Sequence, residues 1–226
     1  MMKKILCALC VCLMTTGAAQ ADLVSLNLPA AGNHSDGSVF STSTSFNGAT
    51  FNIEYTLNAF AADETTEDAF INSTGSFFGV GSVGDPNAGN ERSIDGDDGE
   101  QLSITNLSIT NFNAGTSGLV VGDLNISFDS LAILNGTAAP DGIEISFTGF
   151  GDTQVDVQQP GTVDLTGLTN FSSSSPALYI QPDTTASNNR WSVSGISVDV
   201  TAVPEPSSFA MFCAIGGLLM GRRRKP

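Results

Sequence analysis

Phe51-Asn52-Ile53-Glu54-Tyr55-Thr56-Leu57 alternates apolar and polar residues without a break. Successive side chains of a strand point to opposite faces, so this pattern buries one face and wets the other, as in an antiparallel sheet. The same period of two returns at Leu124, Ile126 and Phe128, at Ile143, Ile145 and Phe147, at Val155 and Val157, and at Val163 and Leu165. Turn chemistry separates the runs: Gly84-Asp85-Pro86-Asn87, Asn135-Gly136, Pro140-Asp141-Gly142, Gly149 to Asp152, and Gln159-Pro160-Gly161. Many short alternating runs between such turns predict an all-β chain, an antiparallel β-sandwich or jelly-roll-like domain.

Two runs change phase. Leu102 and Ile104 give way to Leu107 and Ile109, and Trp191 and Val193 give way to Ile196, Val198 and Val200 across Gly195. A β-bulge or a corner where the strand changes sheets accounts for such a slip. Asp63 to Asp68, between Phe60 and Phe70, fits one helical turn or an acidic loop equally well. No internal repeat is evident. The expected organisation is a signal peptide over 1–21, a β-sandwich domain over 22–200 and a sorting segment over 201–226.

The ends have a different composition. Lys3 and Lys4 precede an apolar run from Ile5 to Met14 that is short for a membrane span. Ala19-Gln20-Ala21 places small residues where signal peptidase reads them, making Asp22 the expected mature N-terminus. Leu9 and Val11, before Cys10 and Cys12, are too large for a lipidation motif. At the far end come Val203-Pro204-Glu205-Pro206, a short apolar stretch from Ser207 to Gly221, and Arg222-Arg223-Arg224-Lys225. The basic cluster acts as a cytoplasmic stop and leaves the body across the membrane.

That C-terminal order of Pro-Glu-Pro, hydrophobic helix and Arg-rich tail resembles the PEP-CTERM sorting signal of Gram-negative envelope proteins, over Val203–Pro226. The resemblance implies transient residence in the inner membrane through the C-terminal helix, cleavage by an exosortase near the motif, and display at the cell surface or release. It also implies a frequent association with exopolysaccharide. A permanent single-span anchor is the alternative. More loosely, Gly79-Val80-Gly81, Ile94-Asp95 and Glu100 look like a Gly-rich loop, an Ile-Asp pair and a strand-opening acid of a β-sandwich module found ahead of such signals, one with no established activity.

All four cysteines, Cys7, Cys10, Cys12 and Cys213, fall inside these two signals. The body between them has no disulfide, thiolate nucleophile or Cys-ligated metal, and must be held by its core. Its length suits one domain with a core large enough to do so. All 23 acidic residues of the chain lie within 22–206, against Arg92 and Arg190 alone, a formal charge of 2 − 23 = −21. So few cations exclude nucleic acid as a partner. They also disfavour anionic lipid or acidic polysaccharide unless divalent cations bridge them. Solubility and self-repulsion outside the cell account for the excess.

The strongest candidate site is Asp95-Gly96-Asp97-Asp98-Gly99-Glu100. Ca2+ takes six to eight oxygens, and glycines let closely spaced carboxylates wrap an ion. Asp95, Asp97, Asp98 and Glu100 are the expected ligands, with Asp85, Asn87, Asn90 and Glu91 as reserves. The spacing is not that of an EF-hand, and a solvated acidic turn is the competing reading. Gly79-Val80-Gly81-Ser82-Val83-Gly84 matches GxGxxG but runs into a turn rather than a helix, so the glycines are expected to serve a loop with positive φ instead of a dinucleotide. His34, the only histidine, falls in what reads as an exposed loop, too close to Ser35 and Asp36 to form a triad with them. No carboxylate pair is singled out for glycoside hydrolysis, so no catalytic residue is assigned. Tyr179 and Trp191 could stack on sugars, although a lone Trp opening an alternating strand belongs more often to a core. Six Asn-x-Ser/Thr triplets begin at Asn33, Asn72, Asn106, Asn125, Asn135 and Asn170, a number close to chance in so Ser/Thr-rich a chain.

The combined expectation is an exported protein without enzymatic activity, handled by signal peptidase and exosortase. Its role would be structural or adhesive at the surface or in the extracellular matrix, tied to exopolysaccharide or biofilm. A Ca2+-dependent carbohydrate-binding module is the second reading and a glycan hydrolase the third.

Overall fold

The computed structural model describes residues 21–61, 69–82, 93–96, 99–135, 142–166, 168, 177–183 and 190–202. Residues 1–20 and 203–226 of the two signals, the acidic stretch 63–68, the turn at 84–87, and Asn90, Glu91, Asp97 and Asp98 lie outside them. The strands are β1 (Ala21–Ser25), β2 (Gly32–Ser35), β3 (Ser38–Phe46), β4 (Ala49–Phe60), β5 (Ala69–Ser73), β6 (Phe78–Ser82) and β7 (Ile94–Asp95). They continue with β8 (Gln101–Asn113), β9 (Leu124–Asn135), β10 (Ile143–Ser146), β11 (Val155–Val157), β12 (Gly161–Asp164), β13 (Leu178–Pro182) and β14 (Arg190–Ala202). Among the described residues the only helical piece is one 3-10 turn, Val121–Asp123. None of their helices is long and apolar enough to cross a membrane.

The strands form two antiparallel sheets, as an all-β sandwich requires. One runs β12-β9-β14-β6-β5-β2, with β1 and β7 also paired to β14; the other runs β11-β10-β13-β8-β4-β3. The alternating stretch at 51–57 lies in β4, where Phe51, Ile53, Tyr55 and Leu57 are buried and Asn52 and Glu54 stay partly exposed. Their partners in the core include Leu102, Ile104, Ile143, Ile145, Leu178 and Ile180 from the same sheet. From the opposite sheet come Phe78, Phe128, Leu131, Trp191, Val193 and Val198. Buried Tyr55 donates its hydroxyl to the Asn27 carbonyl at 2.6 Å, and burial pushes the phenol above its ordinary pKa.

Both phase changes are bulges. Between β4 and β8, Thr56 faces Thr105 while Glu54 faces Ser108, so three steps on β8 match two on β4. Asn106 absorbs the extra residue with φ 54°, a conformation that asparagine tolerates better than most side chains. On β14, Val193 faces Ile133 while Gly195 faces Ala132, which places an extra residue at Ser194 and returns Ile196 to the inner face.

Two expectations need correction. Gly79 and Gly81 lie in strand β6, not in a loop. Gly81 is required by close approach and not by positive φ, because a Cβ there would meet the Phe70 ring at 2.8 Å. His34 lies in β2, opposite Ile71 of β5, and not in a loop. Its Nε2 is 2.8 Å from the Ala30 carbonyl and its ring meets Phe40 edge-on at 5.3 Å. A further turn is legible in hindsight: Asn47-Gly48, both at positive φ, joins β3 to β4 with Phe46 facing Ala49. This is the Asn-Gly pair that two-residue hairpins favour.

Asp199 is on β14 between inward-facing Val198 and Val200. Partial desolvation, and secondarily the charge of Asp129, raise its carboxyl pKa. A carboxyl raised in the folded state supports folding while protonated. That support is present below the ordinary value of 3.8 and is lost as pH rises through the raised one. Asp199→Asn is therefore expected to raise the melting temperature at pH 7 by an amount worth about a few tenths of a kcal/mol, since the group is largely solvated. Little change is expected at pH 3. Equal shifts at both pH values would contradict the assignment.

Candidate functional site

The acidic turn begins where β7 meets β14, with Asp95 opposite Arg190 and Ile94 opposite Trp191. Asp95 is fully buried, and burying a carboxylate costs several kcal/mol unless partners replace its water. Its Oδ2 lies 2.8 Å from Nε of Arg190, one of the two arginines of the body. Glu100 is also buried and turns back on the same residue: its Oε2 accepts the Asp95 N–H at 2.8 Å, and its own N–H donates to the Asp95 carbonyl at 3.0 Å. Gly99, at φ 63°, donates to the Gly96 carbonyl at 3.3 Å and tightens the loop.

Two of the four expected calcium ligands, Asp95 and Glu100, are thus buried and bonded within the fold. Asp95 neutralises an arginine across two strands and Glu100 stitches the turn, in place of the solvent-facing carboxylates that the sequence suggested. Asp97 and Asp98 lie outside the described residues, as do Asp85, Asn87, Asn90 and Glu91. Among the described residues there is no group of three or more His, Cys, Asp or Glu placed to hold a metal.

Next to this turn is a cleft of about 420 Å3, lined among the described residues by Gly96, Gly99, Glu100, Gln101, Gln181, Pro182 and Asp183. It opens on the outer face of the six-stranded sheet. There, inward-pointing Leu178 and Ile180 leave Tyr179 and Gln181 facing out, and Ile143 and Ile145 leave Glu144 facing out. The polar side chains form a chain: Gln101 Nε2 donates to Gln181 Oε1 at 3.2 Å, and Gln181 Nε2 donates to Glu144 Oε2 at 2.6 Å. Thr153 donates to the other Glu144 oxygen at 2.5 Å, and the Gly151 N–H donates to Gln181 Oε1 at 3.2 Å. The loop bearing Gly151 lays Phe150 edge-on against Tyr179, centroids 4.9 Å apart, and against Phe60 at 5.3 Å.

The two aromatic candidates part company. Trp191 is fully buried in the core and offers no surface to a ligand, whereas Tyr179 stands on the outer face beside Phe150. Gln101, Glu144, Phe150 and Gln181 have no counterpart in the sequence reading. Each occupies the polar phase of an alternating strand or a glycine-flanked loop, and only the pairing of β8, β13 and β10 brings them together. Comparison with family models, with curated proteins and with solved structures finds no match to this chain.

Removing Arg190 would take its cation away from the buried Asp95 carboxylate. Breaking a buried pair in this way costs about 3–5 kcal/mol, and screening by water lowers the figure here because the Arg190 side chain is 33% exposed. Arg190→Ala is expected to destabilise the protein by about 2–3 kcal/mol in urea unfolding, with an unchanged m-value. A loss under about 0.5 kcal/mol, the range of ordinary surface substitutions, would show the pair to be ornamental.

Proposed function

We propose that this chain is an exported protein of the bacterial surface or extracellular matrix, sorted by an exosortase, with a structural or adhesive role tied to exopolysaccharide or biofilm. The observation that carries the proposal is the pair of signals in the sequence, Ala19-Gln20-Ala21 at one end and Val203-Pro204-Glu205-Pro206 with Arg222–Lys225 at the other. Between these signals, β1 (Ala21–Ser25) and β14 (Arg190–Ala202) are the first and last of the described strands. These two strands pair with each other, Ala21 facing Thr201. Among the described residues the buried core runs from Val24 to Val200. Trimming at Asp22 and near Pro204-Glu205-Pro206 would then release an intact sandwich.

Composition supports the same reading. A cysteine-free body needs no oxidative maturation, and its acidity keeps it soluble and apart from anionic polymers. The cluster Arg222–Lys225 would remain cytoplasmic while the body is held by a short apolar segment, until an exosortase cuts it free.

Mass spectrometry of the protein from its producing cell tests the proposal. The expected mature chain begins at Asp22 and ends near the Pro-Glu-Pro motif. Mature protein that still carries Arg222 to Lys225 would overturn exosortase processing and leave a permanent anchor in its place.

A further inference from the structure

We propose that the cleft lined by Gly96, Gly99, Gln101 and Gln181–Asp183, with the aromatic patch beside it, binds a segment of uncharged polysaccharide without calcium. This deepens the surface-matrix reading, on which it rests, by naming the ligand class.

Size and placement favour an oligomeric ligand. The cleft, at about 420 Å3, falls within the roughly 300–1,000 Å3 typical of small-molecule sites. Gln181 also packs beside Glu144, Gly149, Phe150 and Tyr179, a closely filled spot next to the cleft. Tyr179 and Gln181, two residues apart on β13, place the aromatic rings on the same face as the cleft.

The chemistry of this face suits a sugar. An amide side chain presents acceptor and donors in one plane, and a carboxylate presents two acceptors, which matches neighbouring hydroxyls that both donate and accept. Gln181 is held from two sides, by Gln101 and the Gly151 N–H at its oxygen and by Glu144 at its nitrogen. Such bracing lowers the entropy lost on binding. The Gln101 amide spends one N–H on Gln181, and its carbonyl oxygen remains for a ligand. Beside these groups, Phe150 and Tyr179 supply apolar surface for the C–H face of a sugar ring, and Phe60 is 39% exposed.

Charge and polarity exclude the other ligand classes. Glu144, Asp152 and Asp183 surround the cleft and the aromatic rings, and among the described residues no Lys or Arg lines them. Phosphate, sulfate and uronate groups would be repelled. A lipid chain would need a longer apolar channel than three rings rimmed by amides and acids provide.

Native gels cast with soluble polysaccharide test the proposal on the full exported chain. The polymers are a β-glucan, a mannan, a galactan, a polyuronate and a cationic polyglucosamine, each with Ca2+ and with EDTA. At least one neutral polymer is expected to slow the protein, equally with chelator. Tyr179→Ala and Gln181→Ala should each weaken the Kd about tenfold, and Ser127→Ala, on the outer face of the other sheet, should not change it. Melting curves check folding, and Gln101→Ala, which disturbs a single bond of the chain, replaces Gln181→Ala if that variant is unfolded. Retardation by no neutral polymer, retardation only by the charged ones, loss with EDTA, or wild-type binding by the folded variants would each overturn the proposal. A chain trimmed at both ends that binds no neutral polymer sinks this inference alone. An untrimmed chain that binds sinks the sorting proposal and spares this one.

Discussion

Strand β14 is the constraint on which the rest of the sandwich depends. It pairs along its length with β9 on one side and in succession with β7, β6 and β1 on the other, so four strands are placed by one. Its inner residues Trp191, Val193, Ile196, Val198 and Val200 are all buried. A strand of thirteen residues could not keep so long an inward stripe without correction for twist, and the bulge at Ser194 supplies it. Gly195 fits there because even a methyl group would lie 3.2 Å from Ala132 Cβ. With no disulfide in the body, the stability of the molecule rests on this stripe and the apolar faces it meets.

The same strand explains why an acidic turn can be internal. Arg190 opens β14 and reaches Asp95 across the β7 pairing, so that a potentially costly carboxylate becomes a cross-strand tie. Glu100 then closes the turn on the Asp95 N–H, just before β8 starts at Gln101 in the opposite sheet. The Asp95–Glu100 segment thus passes the chain from one sheet to the other. This joint also shapes one wall of the cleft, which links the electrostatics of the fold to the surface that faces a ligand.

How much was legible in the sequence follows from the range of the forces involved. Alternation at Phe51–Leu57 and at Ile143–Phe147 reports a local preference for one buried face, and these strands appear as expected. The slips at Leu102–Leu107 and across Gly195 were legible for the same reason, since a bulge leaves its mark on the period. Gly81 was misread because its requirement is a distant ring, Phe70, and no local pattern announces that contact. The pairing of Asp95 was not legible because its partner Arg190 is far along the chain, whereas its neighbours in sequence are glycine and acid, the composition of a solvated or calcium-binding loop. The cleft was invisible for a stronger version of the same reason: Gln101, Glu144 and Gln181 are ordinary outward residues of three strands until sheet pairing sets them side by side.

Native-state hydrogen exchange of the body tests most directly whether β14 organises the molecule. Amides of β14 from Trp191 to Val200 and their partners in β9 are predicted to exchange only through global unfolding, while edge strands β3, β11 and β2 exchange through smaller openings. Exchange of the β14 amides at rates equal to or faster than those of the edge strands would contradict the account, and would mean that the two sheets hold together without the strand placed at their centre.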